Sequence, residues 1–243
     1  MTKTANLIIQ ITAIEGSFNK CRGEYLDAHQ TFSKDNDARI TIFSKCINLF
    51  DNALLYLLFR TFQLPNQSWW SSLPKEYEKW GIPANIIRNP PLKDLKGIIN
   101  NVNFFWAATI FIFLFSSLES SARAIVRVTH PGKFNHGRGD LKQIYKALLS
   151  TNFPRYECML ELFQLARNTL HNNGVYFPEK VGNDRHLIFK DVNYDFVDGQ
   201  KVEFGDVARL LFFDIVPDLL NMINDIVNFK EVSKNKHIID PSI

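Results

Sequence analysis

The chain has 243 residues, 46% of them hydrophobic and 22% charged, with a formal net charge of +3. That is enough apolar material to bury a core without disulfides or metals, which excludes a disordered chain. The slight basic excess is far from the dense Lys/Arg clusters of duplex-DNA binders and anionic-membrane surfaces. Cys21, Cys46 and Cys158 are widely spaced and odd in number, which argues against a disulfide framework or a zinc site and fits a reducing cytoplasm.

The N-terminal apolar stretch, Leu7 to Ile11, is short and carries Gln10, unlike a secretory signal. Residues 6–31 form an amphipathic helix candidate. After the polar break Lys34-Asp35-Asn36-Asp37, a second helix is expected over 38–62. Its apolar residues Ile42, Phe43, Cys46, Ile47, Phe50, Leu54, Leu57 and Leu58 recur at three and four, the stripe of a helix with one buried face. Pro65 stops it. From there to Pro91 the chain carries Pro74, Pro83, Pro90 and Pro91 with Trp69, Trp70 and Trp80. This composition suits an irregular connector with aromatic anchors and a boundary between two halves.

A long apolar helix is expected over 95–128. Within it Phe104 to Leu118 is nearly free of polar residues, but at about 15 residues it falls short of the roughly 20 that a membrane span needs. The apolar phase continues through Ala122, Ile125 and Val126, past the charges at Glu119 and Arg123, as in a buried core helix. The segment HPGKFNHGRGD that follows lacks phosphate-loop spacing and reads as a polar connector. Its His130, His136, Arg138 and Asp140 have no helical His-x-x-x-His or Cys partner that would make them a metal cluster. Leu141 to Leu149 reads as a helix. Another starts at Pro154 and ends at Asn172-Asn173-Gly174, where glycine can take the left-handed conformation that closes a helix. HLIFK, NYDF and KVEF then read as a small meander whose tight hairpin turn is Asp198-Gly199. The last helix, 206–228, carries Pro217 as a bend, and 230–243 reads as a frayed tail.

Arg167 and His171 lie four apart on one helix face, continuing the line of Leu160, Phe163 and Gln164, so that face is partly inward. A cation there needs a carboxylate, a phosphate or a partner subunit. The dipole at a helix C-terminus favours a protonated His171, which suits a proton-transfer group. In a purely structural alternative, Arg167 bonds a core carboxylate such as Glu119 while His171 caps the terminal carbonyls.

The string RNTLHNNGVYFP resembles the motif helix of the HEPN (higher-eukaryote and prokaryote nucleotide-binding) superfamily, in which an Arg and a polar residue precede a His-Asn near the helix end. Arg167-Asn168 and His171-Asn172 match those positions, with three residues between Arg and His where the family pattern has four to six. The resemblance extends over most of 96–229, including the FSSLESSAR ending of the apolar helix. It implies a mainly α fold, an antiparallel helical bundle with a small β insertion, here behind an N-terminal helical extension over residues 1–95. It also implies metal-independent RNA cleavage, without cofactor, at a site shared by two protomers, in a cytoplasmic toxin-like or phage-defence protein with a possible cognate antitoxin. In that reading His171 is the general acid or base, Arg167 stabilises charge on phosphorus and Asn168 orients the reacting groups, with Glu119 and Asn172 as supporting residues. A non-catalytic helical module that binds a nucleotide, RNA or a partner protein is the alternative, and a plain dimerisation scaffold is a third.

Overall fold

The computed structural model describes residues 3–29, 36–62, 92–134 and 141–241. The tryptophan-containing connector and His136, Arg138 and Asp140 lie outside the described residues. The chain is mainly helical. Among the described residues the helices are, in order, α1 (Lys3–Ala28), α2 (Ala38–Phe62), α3 (Leu92–Thr129), α4 (Leu141–Leu149) and α5 (Phe153–His171). A two-stranded antiparallel sheet follows, β1 (Arg185–Phe189) and β2 (Val192–Phe196), then α6 (Val207–Arg209), a π-helical stretch (Leu210–Ile215), α7 (Val216–Asn228) and α8 (Lys230–Ser233).

Residues spaced three and four apart carry the helix packing. On α1 the buried positions are Ile11, Ile14, Phe18 and Tyr25; on α2, Phe43, Cys46, Phe50 and Leu57 lie in the same core. Phe18 meets Phe50 edge-on at 5.1 Å, and Phe50 meets Phe212 at 6.2 Å. These edge-to-face contacts favour a defined packing angle beyond what area burial gives. The buried apolar residues from Ile11 to Ile238 form one cluster. The two halves expected on either side of the connector thus share a core, because α2 packs along α3 with Tyr56 stacked on Trp106 at 5.0 Å.

Among the described residues, α3 contains the one stretch long and apolar enough to cross a membrane, Phe104–Thr129, and 44% of its most apolar part is buried within the protein. Phe111, Leu114 and Leu118 face the core while Phe105 and Phe113 are exposed.

The structure alters three sequence expectations. The hairpin turn is Lys190-Asp191, with φ of 48° and 62°, not Asp198-Gly199. Two left-handed residues give the turn the twist that matches paired strands. Asp198-Gly199 makes a separate turn, in which the Gly199 amide donates to the Tyr176 carbonyl, and KVEF contributes only an isolated bridge, Val175 to Lys201. The last helix departs from α geometry before Pro217, through the wide turn of Leu210–Ile215. Proline has no amide hydrogen and its ring crowds the carbonyl four residues back, so the chain widens there instead of ending.

The third correction concerns the tail. Residues 230–241 do not fray: Ile238 is fully buried and Asp240 is 1% exposed. The anchor is an ion pair with both side chains fully buried, Arg39 and Asp37, joined at 2.6 Å and 2.8 Å through Nη2 and Nε. The Arg39 Nη1 donates to the carbonyls of Val232 and Asn235 at 3.0 and 2.7 Å. Beside this pair, the Asp240 carboxylate accepts from Thr41 Oγ1 and Lys45 Nζ, and Lys45 also reaches Ser121 on α3. Arg39→Leu strands Asp37 in the core and is expected to cost about 3–5 kcal/mol, read as a lowered urea midpoint.

Burial pushes the Cys46 thiol from 9.0 up to about 12, with Lys45 opposing. The folded state therefore keeps a proton that the unfolded chain releases. This contribution to stability is complete below about pH 9 and is lost as pH rises toward 12. Unfolding midpoints between pH 8 and 11 are expected to fall more steeply for the wild type than for Cys46→Ala.

Candidate functional site

Helix α5 carries a polar line, Glu157, Glu161, Gln164 and Asn168, along a helix that otherwise buries Leu162, Phe163 and Ala166. Spacings of three and four put these residues on one face. That face lines a cleft of about 760 Å³, walled also by α3 (Phe115, Glu119, Arg123), α4 (Leu141, Lys142, Tyr145) and the segment 176–185 after α5. The helix closes through a paired motif in which the Gly174 amide donates to the Thr169 carbonyl and the Asn173 amide to that of Leu170. Asn173, with φ of 55°, takes the first left-handed position, and Gly174 follows at 88°. This closure turns the chain back so that Tyr176, Phe177 and Glu179 reach the cleft.

Arg167 and Asn168 both line the cleft. The Arg167 Nη1 donates to the Asn168 Oδ1 at 2.9 Å, and its guanidinium carbon sits 5.5 Å from the centroid of the Phe115 ring. No carboxylate pairs with Arg167 among the described residues, and its buried Nε has no hydrogen-bond partner. Glu119 is on the opposite wall but bonds Arg123 at 2.8 Å, so the sequence alternative of an Arg167–Glu119 pair is not what forms. The preference is local: Arg123 is one turn from Glu119 on the same helix, within reach without crossing the cleft.

His171 is on the same face as Arg167, about 6 Å further along the axis. It is exposed and lies beyond the cleft lining. The expectation that its face is inward fails at that position: α5 ends there, and His171 is exposed although Thr169 and Leu170 of the same last turn are buried. Asn172 is likewise exposed. The structure therefore brings Arg167, Asn168 and Glu119 to one cavity and leaves His171 and Asn172 at its outer end.

Several lining groups were not singled out from sequence. Lys142 pairs with Glu157 at 2.6 Å across α4 and α5, which with Glu119–Arg123 neutralises half of the charged lining. Arg185, Glu161 and Glu179 remain without an ion-pair partner among the described residues. Phe177 stands 59% exposed at the rim. Tyr176 donates to the Asn183 carbonyl at 3.3 Å, and burial raises its hydroxyl pKa against the opposing pull of Arg185. Burial likewise raises that of Tyr145, with Glu119 adding to the effect. The one sequence signal for this set was the polar line on α5, which runs beside that helix's buried stripe. The contributions of α4 and of 176–185 come from distant chain.

A cation kept without a carboxylate contributes little to folding. Arg167→Met is expected to change stability by less than about 1 kcal/mol, the scale of a partly exposed cation–π contact. Chemical denaturation of both proteins measures this, and a loss of several kcal/mol would make Arg167 a structural group.

Searches of protein-family models, curated proteins and solved structures find no match to this chain.

Proposed function

We propose that the chain is a HEPN-like helical module that binds a nucleotide or RNA in the cleft between α3, α4 and α5. The observation that carries this reading is the Arg167 guanidinium. It lines the cavity, rests on Phe115, is oriented by Asn168 and has no carboxylate partner among the described residues. A phosphate oxygen supplies the charge such a guanidinium lacks, and the planar fork suits it. The cleft is also within the roughly 300–1,000 Å³ range of small-ligand sites.

Metal-independent RNA cleavage is the second reading, and the exposure of His171 and Asn172 at the end of the same helix favours it. An imidazole there is open to substrate or to the second copy of a homodimer. In that arrangement His171 moves the proton of the attacking 2′-hydroxyl or the leaving oxygen, while Arg167 steadies charge on phosphorus. A cytoplasmic toxin restrained by an antitoxin is the biological setting that this chemistry suits.

Two measurements separate the readings. Binding of labelled single-stranded RNA is expected to weaken at least about tenfold in Arg167→Ala, the loss of one charge-assisted contact, and unchanged binding would remove Arg167 from the site. Induced expression of the wild type, Arg167→Ala and His171→Ala compares growth. Toxicity lost in both variants, with RNA cleavage that survives a chelator, establishes the nuclease; equal growth in all three leaves the binding module.

A further inference from the structure

The charges of the cleft are not those of a polyanion site. Glu119 and Glu157 are matched by Arg123 and Lys142. What is left facing a ligand is mixed: Arg167 and Arg185 on one side of the balance, Glu161 and Glu179 on the other. A continuous phosphate backbone or a triphosphate laid through this space sets anions against those two carboxylates, with repulsion that strengthens as water is excluded. One phosphate at Arg167 meets no such penalty. Carboxylates accept hydrogen bonds and donate none, so the remaining part of the ligand has to present N–H groups. At the rim the exposed Phe177 ring, followed by Pro178, offers a flat apolar face, and nucleobases stack on such rings whatever their identity.

We propose that Glu161 and Glu179 make the cleft selective for a nucleotide whose base carries an exocyclic amine, with a single phosphate at Arg167 and the base against Phe177. This rests on the nucleotide-binding reading above. Adenine and cytosine direct an –NH₂ group outward and satisfy a carboxylate. Uracil sets a carbonyl at the equivalent edge, and its one ring N–H is flanked by carbonyl oxygens that repel the same carboxylate. The ligand is a free mononucleotide or an unpaired nucleotide within RNA; the chemistry at the cleft is shared.

Titration calorimetry on the full chain tests this with AMP, UMP, ATP and ten-residue oligo(A) and oligo(U). AMP is expected to bind at least about tenfold tighter than UMP, the scale of one hydrogen bond to a charged group, and ATP no tighter than AMP. Oligo(A) bound tighter than AMP identifies RNA as the source, and AMP bound as well as oligo(A) identifies the free nucleotide. In the double variant Glu161→Gln, Glu179→Gln the AMP-to-UMP ratio is expected to fall toward one, because glutamine both donates and accepts. Arg167→Ala is expected to weaken AMP and UMP by the same factor. Equal affinity for AMP and UMP in the wild type, or ATP bound much tighter than AMP, overturns the selectivity and leaves nucleotide binding standing. No binding of any of the five overturns nucleotide binding itself.

Discussion

A fully buried carboxylate and guanidinium survive in a protein core only when nearly every donor and acceptor is met, since the water they lose is worth more than their mutual attraction in poor geometry. Asp37 and Arg39 satisfy that condition with groups more than 190 residues away: the guanidinium fork takes the Asp37 oxygens on one side and the carbonyls of Val232 and Asn235 on the other. Asp37 also accepts from the Ile238 amide. The start of α2 and the segment after α7 are therefore one structural unit, although the chain between them contains most of the protein.

This clasp has consequences at the cleft. One turn along α2 from Thr41, Lys45 links Asp240 to Ser121 of α3. Glu119 and Arg123, two residues to either side of Ser121, form part of the cleft wall. The position of α3 relative to α5 thus depends on packing that begins with the N-terminal helices, and the buried residues of α1 and α2 belong to the same core as those of α3 and α5. Within the cleft the charges divide by reach. Glu119 and Glu157 find cations one helix turn or one helix away, whereas Arg167 finds an amide and an aromatic ring, neither of which neutralises it. It is this group, held in place but not neutralised, on which the proposed phosphate contact rests.

Local chemistry in the sequence accounts for the helices. The stripes of α2 and α5, the proline at the start of α5 and the Asn-Asn-Gly at its end give boundaries within a residue or two of those observed, because each depends on neighbours within about one turn. Where two local signals compete, the reading went astray. Asp198-Gly199 has favourable turn chemistry and does turn the chain, but the paired strands lie on either side of Lys190-Asp191. Pairing follows which face each strand buries: Phe189, Tyr194 and Phe196 go inward together in the observed register, and a one-residue slip turns one strand's set outward. Pro217 was legible as an irregularity, but not the π-helical stretch that precedes it, in which Leu210, Leu211, Phe212 and Ile215 are buried.

From the residues alone, the helical class, most helix limits and the placing of Arg167 on a partly inward face were determined, since periodicity and capping are properties of short segments. Only the tertiary structure decided that the tail is clasped to α2, that Glu119 turns to Arg123, that Glu161, Glu179 and Arg185 share a cleft with Arg167, and that His171 lies outside it. Each of these depends on which distant segment covers a given helix turn. A helical face specifies the direction in which a side chain points, but the length of that face that is enclosed is set by its neighbours.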